Sequence, residues 1–295
     1  MSTQVTLPAG RSLALAAKRF WRGEIMTAHL ATQVLLALVT AVTLIPVIWT
    51  VLSSLKSNDA IFAVPMRWLP TSLHWNNYTD AFAVAPFGRY FLNSAIVAAS
   101  VTATTIFFGA MAGYGFSKFR FPGRDLVFGL ILSTFMIPFP VIMIPLFVLV
   151  RNFGWVDTYW GLIIPGALTG FAVFMMRQFI QAIPGELFDA ARIDGAGELR
   201  IFLTLVLPLA RPALATLGIL TFLESWNNLL WPLIVIQSDD METIPLGLTK
   251  FSTLYSSNYA QMLAMAVIAS LPVLVVFIIG RRQIINSLML SGIKG

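Results

Sequence analysis

Residues 184–196 read PGELFDAARIDGA, and the interpretation of the whole chain depends on this stretch. It belongs to a polar segment, residues 178–211, which we call the island. The charged residues of the island are four acids and three bases: Glu186, Asp189, Asp194, Glu198, Arg192, Arg200 and Arg211. The sequence on both sides is apolar over lengths that fit membrane helices. A polar segment placed between such helices is accessible to another protein.

The first half of the island is predicted to be a short helix. Pro184 ends the preceding element, and residues 186–193 are good helix formers with an acid in the first turn, where it opposes the helix dipole. Gly195 in a left-handed conformation would end this helix, whereas Asp194 would instead cap the next one. The sequence leaves both options open.

The second half of the island is predicted to be another short amphipathic helix. Leu199, Phe202 and Val206 recur at helical spacing before Pro208 and Pro212 close the segment. From the pattern alone, an ordinary loop that folds on itself is an equally good interpretation.

The composition indicates a polytopic membrane protein. Of 295 residues, 58% are hydrophobic and 11% are charged, against roughly a quarter charged in soluble domains. The chain has no cysteine, which excludes a disulfide framework and a thiolate nucleophile. The net charge of +6 comes from bases dispersed beside apolar runs, so we interpret it as a topology signal and not as a nucleic-acid surface.

Six apolar runs are long enough to span a bilayer. They cover approximately residues 30–55, 91–117, 126–150, 159–177, 213–236 and 261–280. This pattern predicts an N-terminal segment (1–30), a six-span membrane domain (31–283) and a C-terminal tail (284–295). The N-terminal segment carries four bases among apolar residues and is predicted to form an amphipathic helix on the membrane surface. A signal peptide is excluded, because the apolar run that follows is longer than the roughly 7–15 residues of a signal core.

The Lys and Arg residues predict the orientation of the chain. With the N-terminus inside, fourteen of them lie on the inner side and five on the outer side, namely Lys56, Arg67, Arg89, Arg151 and Lys250. Because inner loops carry the excess of positive charge, both termini and the island are expected in the cytoplasm.

Small residues and prolines are frequent within the predicted spans. Gly109 and Gly113 form a small-xxx-small pair that lets two helices approach closely. Prolines in the third span, and Pro165 with Gly166 in the fourth, predict kinked helices whose freed carbonyl groups need partners.

One acid, Glu224, lies inside a predicted span. On a continuous helix Asn227, Asn228 and Trp231 share its face, and together they make a polar and aromatic stripe. An acid in a membrane is costly unless it faces water or a partner, so the stripe is a candidate solute pathway. The alternative is an acid bonded to a helix of another subunit.

The sequence offers no catalytic or metal-binding constellation. No Gly-x-x-x-x-Gly-Lys-Ser/Thr loop is present, so ATP would have to be bound by a partner. The two histidines lie outside the spans, and no hydrolase motif accompanies them. A secondary transporter driven by an ion gradient is the rival interpretation, but it would need ion-coordinating acids, and Glu224 is the only one available.

The island resembles the EAA loop of the permease subunits of binding-protein-dependent ABC importers. That loop runs Glu-Ala-Ala, three residues, Gly, nine residues, Ile, one residue, Leu-Pro. The corresponding residues here are Asp189-Ala190-Ala191, Gly195, Leu205 and Leu207-Pro208, with conservative changes at Asp189 and Leu205.

Further positions resemble the carbohydrate-uptake subgroup, and in particular its maltose-permease-like second subunit. They are Trp49, Ser53-Ser54-Leu55-Lys56, Asn77-Tyr78, Asn93-Ser94, Trp226-Asn227, Pro232 and Gly292-Ile293-Lys294-Gly295. The likeness extends from about residue 33 to the C-terminus. Glu224 does not belong to the subgroup pattern.

The resemblance implies an all-α integral membrane protein with six transmembrane helices, the type I ABC importer permease fold, and a cytoplasmic coupling helix. It implies a non-enzymatic translocation subunit in a bacterial inner membrane that pairs with a homologous permease. Two ATPase subunits would bind ATP and Mg, and a soluble binding protein would deliver an oligosaccharide or related solute. Malto-oligosaccharides, uronate oligosaccharides and glycerol phosphodiesters all remain compatible.

The resemblance also assigns contact residues. The expected ATPase-coupling residues are Glu186, Asp189, Ala190, Ala191, Asp194, Gly195, Ala196, Leu207 and Pro208. The expected ATPase-contacting residues of the tail are Gly292, Lys294 and Gly295.

Overall fold

The computed structural model describes the backbone of residues 9–251 and 258–292, and the side chains of residues 32–251 and 258–281. Within these residues all the regular elements are helical, as predicted. The helices are α1 (Ala9–Ser54), α2 (Asn58–Ile61), α3 (Asn76–Val84), α4 (Phe87–Lys118), α5 (Arg124–Met136), α6 (Phe139–Asn152), α7 (Tyr159–Ile163), α8 (Gly170–Gln181), α9 (Gly185–Ile193), α10 (Glu198–Ile201), α11 (Leu207–Leu209), α12 (Arg211–Trp226), α13 (Leu230–Val235), α14 (Ile244–Leu248) and α15 (Tyr259–Gly292).

In the described part of the chain, three continuous helical stretches are long and apolar enough to cross a membrane. They are Thr32–Ser54, Phe87–Lys118 and Tyr259–Arg281. Three bent pairs complete a possible set of six: α5 with α6 at 104°, Tyr159–Gly166 with α8 at 43°, and Glu198–Leu209 with α12 at 78°. If each bent pair is one span, the number agrees with the six predicted spans. The fifth pair, however, begins at Glu198, inside the island, and not at residue 213.

The third span is broken where the sequence predicted only a kink. Pro138 has no N–H to continue the helix, and it forces the residue before it out of the helical region, so Ile137 is extended (φ −82°, ψ 119°). Helix α6 then starts afresh at Phe139, almost perpendicular to α5.

The fifth span also differs from the prediction of one helix over residues 213–236. Helix α12 ends at Trp226, and the short helix α13 begins only at Leu230. The side chain of Asn227 donates to the carbonyl of Leu223 at 2.8 Å, and Asn228 Oδ1 accepts the N–H of Trp231 at 3.2 Å. The Asn228 side chain replaces a helical backbone acceptor for Trp231. The Asn227 side chain adds a second donor to the Leu223 carbonyl, which also accepts the N–H of Asn227 at 3.1 Å, and both side chains stabilise the break.

Neither predicted segment boundary, at residue 30 or at residue 284, coincides with the end of a helix. Helix α1 passes through residue 30 without interruption, so no helix ends at the predicted boundary. The predicted location of the N-terminal segment on the membrane surface stays a prediction, and residues 1–8 lie outside the described chain. No proline occurs between Pro8 and Pro46, so the sequence does not impose a break. Helix α15 likewise runs through residue 284 to Gly292.

The packing of α4 against α8 confirms the predicted glycine contact. A Cβ on Gly109 would lie 3.1 Å from the Cβ of Ala172. A Cβ on Gly113 would lie 2.6 Å from the Cβ of Met176 and 2.7 Å from the amide nitrogen of Arg177. The two backbones approach this closely only because both positions lack a side chain.

The break at Pro165 shows where freed carbonyl groups find a partner. The hydroxyl of Thr105 on α4 lies 3.2 Å from the carbonyl oxygens of both Gly166 and Ala167. Thr105 is fully buried, so its hydroxyl gives these two carbonyl groups a partner inside the bundle.

Residues of the carbohydrate-subgroup pattern form hydrogen bonds at the end of the bundle opposite the island. Asn93 donates to the carbonyls of Asp240 and Glu242, both at 2.8 Å, and its Oδ1 accepts the hydroxyl of Tyr159 at 2.7 Å. The neighbouring Ser94 accepts the N–H of Ile244 at 2.8 Å. These bonds attach the loop after α13 to the start of α4.

A second set of pattern residues secures the end of α1. Asn77 donates to the carbonyls of Ser54 and Lys56, both at 2.8 Å, and the hydroxyls of Ser54 and Tyr78 lie 2.7 Å apart. Lys56 is buried, and its ammonium group lies 4.0 Å from the ring centre of Trp49. The pattern at these positions therefore has a structural explanation.

Candidate coupling surface and solute cavity

The first half of the island is helix α9, and the structure decides how it ends. Gly195 adopts φ +78°, and its N–H bonds the carbonyl of Arg192 at 3.0 Å. The N–H of Ala196 bonds the carbonyl of Ala191 at the same distance. Together these bonds form the glycine-ended Schellman motif, so Gly195 ends α9, and Gly197, not Asp194, precedes α10.

The second half of the island departs from a regular helix. Between α10 and α11 the chain forms a π-helix, Phe202–Val206, in which the N–H of Leu207 bonds the carbonyl of Phe202. In an α-helix the ring of Pro208 would clash with the carbonyl of Thr204, and the wider π turn relieves that clash.

The π turn also changes which residues face the core. Phe202 and Val206 are buried as predicted, but Leu199, predicted on the same face, is 70% exposed. Ile201 is buried in its place. The wider turn rotates the buried face, so the predicted spacing fails at its first residue.

Aromatic contacts hold the island against helix α4. The ring of Tyr114 stacks on Phe188 of α9 at 5.9 Å and on Phe202 at 6.0 Å. Lys118 donates to the carbonyl of Ile183 at 2.6 Å and lies 4.5 Å from the ring centre of Phe188. Sequence reasoning missed these contacts; the only sequence signal was that Lys118 is the first charge after the second span.

A polar network joins the two halves of the island. Glu198 accepts the hydroxyl of Tyr114 and the Nε of Arg192, the latter at 2.9 Å. A second nitrogen of Arg192 lies 3.2 Å from Asp189. The bond to Glu198 is the main cause that raises the pKa of the Arg192 guanidinium. The island is therefore held in one shape before any partner is present.

We expect a Tyr114→Phe variant to loosen the island without moving the stacked ring. The variant removes the hydroxyl from Glu198 but keeps the aromatic contacts, at a cost of about 1 kcal/mol. Amide exchange of residues 185–201, measured by mass spectrometry, should become roughly five-fold faster. Tyr159→Phe is the matched control, because that hydroxyl bonds Asn93 at the other end of the bundle. Equal exchange in both variants would contradict the role given to Tyr114.

The structure divides the nine predicted coupling residues into two groups. Ala191, Ala196 and Leu207 pack against the chain's own core. The exposed members are Glu186, Asp189, Ala190, Asp194, Gly195 and Pro208. Among the tail residues, Gly292 is the last residue of α15, whereas Lys294 and Gly295 lie outside the described chain. Their predicted contacts with the ATPase remain predictions.

The outward side of α9 carries an exposed stripe that we call the docking face, formed by Glu186, Ala190 and Ile193. These residues follow the i, i+4, i+7 spacing of one helix face. Ile193 is 86% exposed, which leaves a large apolar side chain uncovered by this chain. Sequence reasoning did not single out Ile193, because its neighbours on both sides are polar.

A cavity of about 480 Å³ lies where the chain breaks after α12. All four residues predicted for the solute pathway line it, namely Glu224, Asn227, Asn228 and Trp231. The predicted reason for their proximity was wrong, because no continuous helix carries them: α12 ends at Trp226. The turn between α12 and α13 brings them together instead.

Trp231 forms part of the cavity wall. Its indole N–H donates to the carbonyl of Gly161 at 2.8 Å, and its ring meets Phe139 edge-on at 6.0 Å. The residue is 4% exposed, so the ring presents little surface in this conformation. Its predicted stacking on a sugar remains a prediction.

Asp157 fixes the far end of the short helix that carries Trp231. Its carboxylate accepts the N–H groups of Gln237 and Ser238, both at 3.0 Å, and its own N–H bonds the carbonyl of Val235. Burial raises the pKa of Asp157, but the two backbone bonds outweigh burial and lower it overall. Sequence reasoning missed this residue, whose φ of +59° is unusual for a non-glycine.

Comparison with known proteins places this architecture in a family. Residues 105–284 match the family described as binding-protein-dependent transport system inner membrane component. The chain is 37% identical over 255 residues to the arabinooligosaccharides transport system permease protein AraQ of Bacillus subtilis (strain 168), covering 85% of this chain and 91% of that protein. It is 36% identical over 259 residues to the lactose transport system permease protein LacG of Rhizobium radiobacter, covering 88% of this chain and 94% of LacG.

A solved structure has the same fold. It is a chain of a bacterial ABC transporter involved in the import of the acidic polysaccharide alginate, with a TM-score of 0.76 at 23% identity over 95% of this chain and 99% of that one. The predicted fold class is thereby confirmed. The extent of the family match and the identity to these relatives establish that this chain belongs to the family of binding-protein-dependent transport system inner membrane components.

Proposed function

We propose that this chain forms half of the translocation pathway of an ATP-driven importer for an oligosaccharide or related solute. The observation that supports the proposal is that one helical bundle has both an exposed helix face and a cavity. The first is the docking face on the preformed island, and the second is the cavity beside α12, whose mostly apolar lining also includes hydroxyl, amide and carboxylate groups. Relatives are named for the transport of arabinooligosaccharides, lactose and diacetylchitobiose, which supports a saccharide as the solute.

The proposed complex supplies what this chain lacks. A homologous permease forms the other half of the pathway, and two ATPase subunits bind ATP and Mg and hydrolyse the nucleotide. The sequence contains no P-loop, which supports a non-enzymatic role for this subunit. The docking face seats in a groove of the ATPase, because Ile193 is exposed and Ala190 is small enough to permit close approach.

The proposed orientation places the island and both termini in the cytoplasm of a bacterial cell whose inner membrane holds the chain. The distribution of Lys and Arg supports it. A soluble binding protein then delivers solute to the opposite side, where residues 55–86 offer exposed aromatic side chains such as Trp75, which is 62% exposed.

Reconstituted uptake tests this proposal against ion-coupled transport. The complete complex is placed in proteoliposomes with binding protein outside, and uptake of labelled lactose, arabino-oligosaccharides and diacetylchitobiose is measured. We expect uptake of at least one saccharide to require ATP in the compartment that holds the ATPases, and to survive ionophores. Uptake that needs no ATP and disappears with an ionophore would support the ion-coupled alternative.

A further inference from the structure

The cavity has one formal charge in its lining. Among the described residues that line it, Glu224 is the only one with an ionisable side chain. The remaining polar side chains are hydroxyls and amides: Ser94, Thr169, Thr221, Ser225, Asn227, Asn228 and Thr243. A cavity of this kind offers hydrogen bonds to a neutral polyol but no cation for an anion to pair with.

Glu224 is not neutralised within this chain. Its side chain is exposed, and it makes no hydrogen bond or ion pair to any side chain that the structure describes. Other acids have partners of this sort, as Asp189 and Glu198 do with Arg192. The negative charge of Glu224 therefore acts on the cavity and is not cancelled locally.

The end of helix α12 adds to this field. Glu224 lies in the last turn of the helix, which ends at Trp226, and the C-terminal end of a helix carries a partial negative charge. Near a protein surface, charge–charge interactions are about four-fold stronger than in bulk water. An anion entering the cavity meets both effects.

Several polar groups of the cavity still have hydrogen-bonding capacity. The bonds of Asn227 to Leu223 and of Asn228 to Trp231 use only one end of each amide. The hydroxyl of Thr243 is buried without a hydrogen-bond partner in the described part of the chain. These groups match the alternating donors and acceptors of sugar hydroxyls.

We propose that Glu224 excludes anionic solutes from the pathway and that the solute of this chain is a neutral saccharide. This inference rests on the proposed function, and it separates this chain from transporters of acidic saccharides. Glu224 acts here as a specificity residue, with the amides of the cavity as the groups that bind.

The absence of cysteine from the sequence allows a direct measurement of the potential in the cavity. A Ser225→Cys variant places a thiol in the lining at almost no change of volume. The assembled complex is treated with two methanethiosulfonates of similar size, the anionic sulfonatoethyl reagent and the cationic trimethylammonioethyl reagent. The ratio of the two rates on this chain is compared with that of an exposed Thr71→Cys variant.

We expect the cationic reagent to be favoured at residue 225 by on the order of ten-fold relative to residue 71. Adding Glu224→Gln should bring the ratio close to that of residue 71. A ratio unaffected by Glu224→Gln, or a thiol at residue 225 that neither reagent reaches, would overturn the proposal. Because labelling does not depend on uptake, either result would leave the proposed function standing and be distinguishable from its failure.

Discussion

A Gly113→Ala variant is expected to lose about 3 kcal/mol of stability, at the upper end of the usual range for an overpacked contact. The added methyl group would lie 2.7 Å from the amide nitrogen of Arg177, which is a backbone atom and not the end of a flexible side chain. Helix α4 would therefore have to move away from α8, and the contacts around Thr105 would open with it. Thermal unfolding of the purified complex in detergent, followed by size-exclusion chromatography, measures the loss.

Gly115→Ala provides the matched control on the same helix. A Cβ at that position meets no atom within 4 Å, so the same change should stabilise α4 by up to about 1 kcal/mol through helix propensity. The two glycines are two residues apart on the same helix, and the substitution is the same at both. If both variants unfolded at the same temperature, the close approach of α4 and α8 would not require a glycine at residue 113.

An Ala190→Trp variant is expected to weaken binding of the ATPase subunits and, with it, ATP-driven transport. Ala190 is exposed on the docking face, so the larger side chain leaves the fold of this chain intact. In a partner's groove it would cost about 1–3 kcal/mol, which corresponds to a roughly 5- to 150-fold loss of affinity. Co-purification of the ATPase subunits and ATP-driven uptake in proteoliposomes should both fall by a factor in that range.

Two further tryptophan variants make the result specific. Ala83→Trp changes an exposed alanine of α3, far along the chain from the island, and should leave ATPase binding unaffected. Ala191→Trp changes a residue that packs against the chain's own core, and should reduce the yield of folded protein instead. Wild-type uptake with the ATPase still bound to the Ala190→Trp complex would mean that the island is only a connector.

The different burial of two adjacent alanines shows why the coupling residues could not be assigned from the sequence alone. Ala190 and Ala191 have the same side chain and both match the family motif, yet one is exposed and the other is covered by the core. Which one faces outwards depends on the rotation of α9, and that rotation is set by the stacking of Phe188 on Tyr114. These two residues are 74 positions apart, so no local pattern connects them.

The sequence by itself determined the features that depend on local chemistry. Apolar length gave the number of spans, because a helix must satisfy its own backbone to cross a bilayer. Pro184 marked the start of α9, because proline has no N–H to continue a preceding helix. The pair Gly109 and Gly113 indicated a close helix contact, because only small residues permit one.

Only the tertiary structure decided where the functional groups meet. The stripe of Glu224 and Asn228 was predicted on a continuous helix, but a turn fixed by two asparagine side chains forms it instead. The Asn93 side chain donates hydrogen bonds to carbonyl groups about 150 residues further along the chain. The hydroxyl of Tyr114 donates to the carboxylate of Glu198, which is 84 residues away in the sequence. Such contacts depend on how the helices pack, because chain segments far apart in sequence become neighbours only when the apolar surfaces of several helices are buried together.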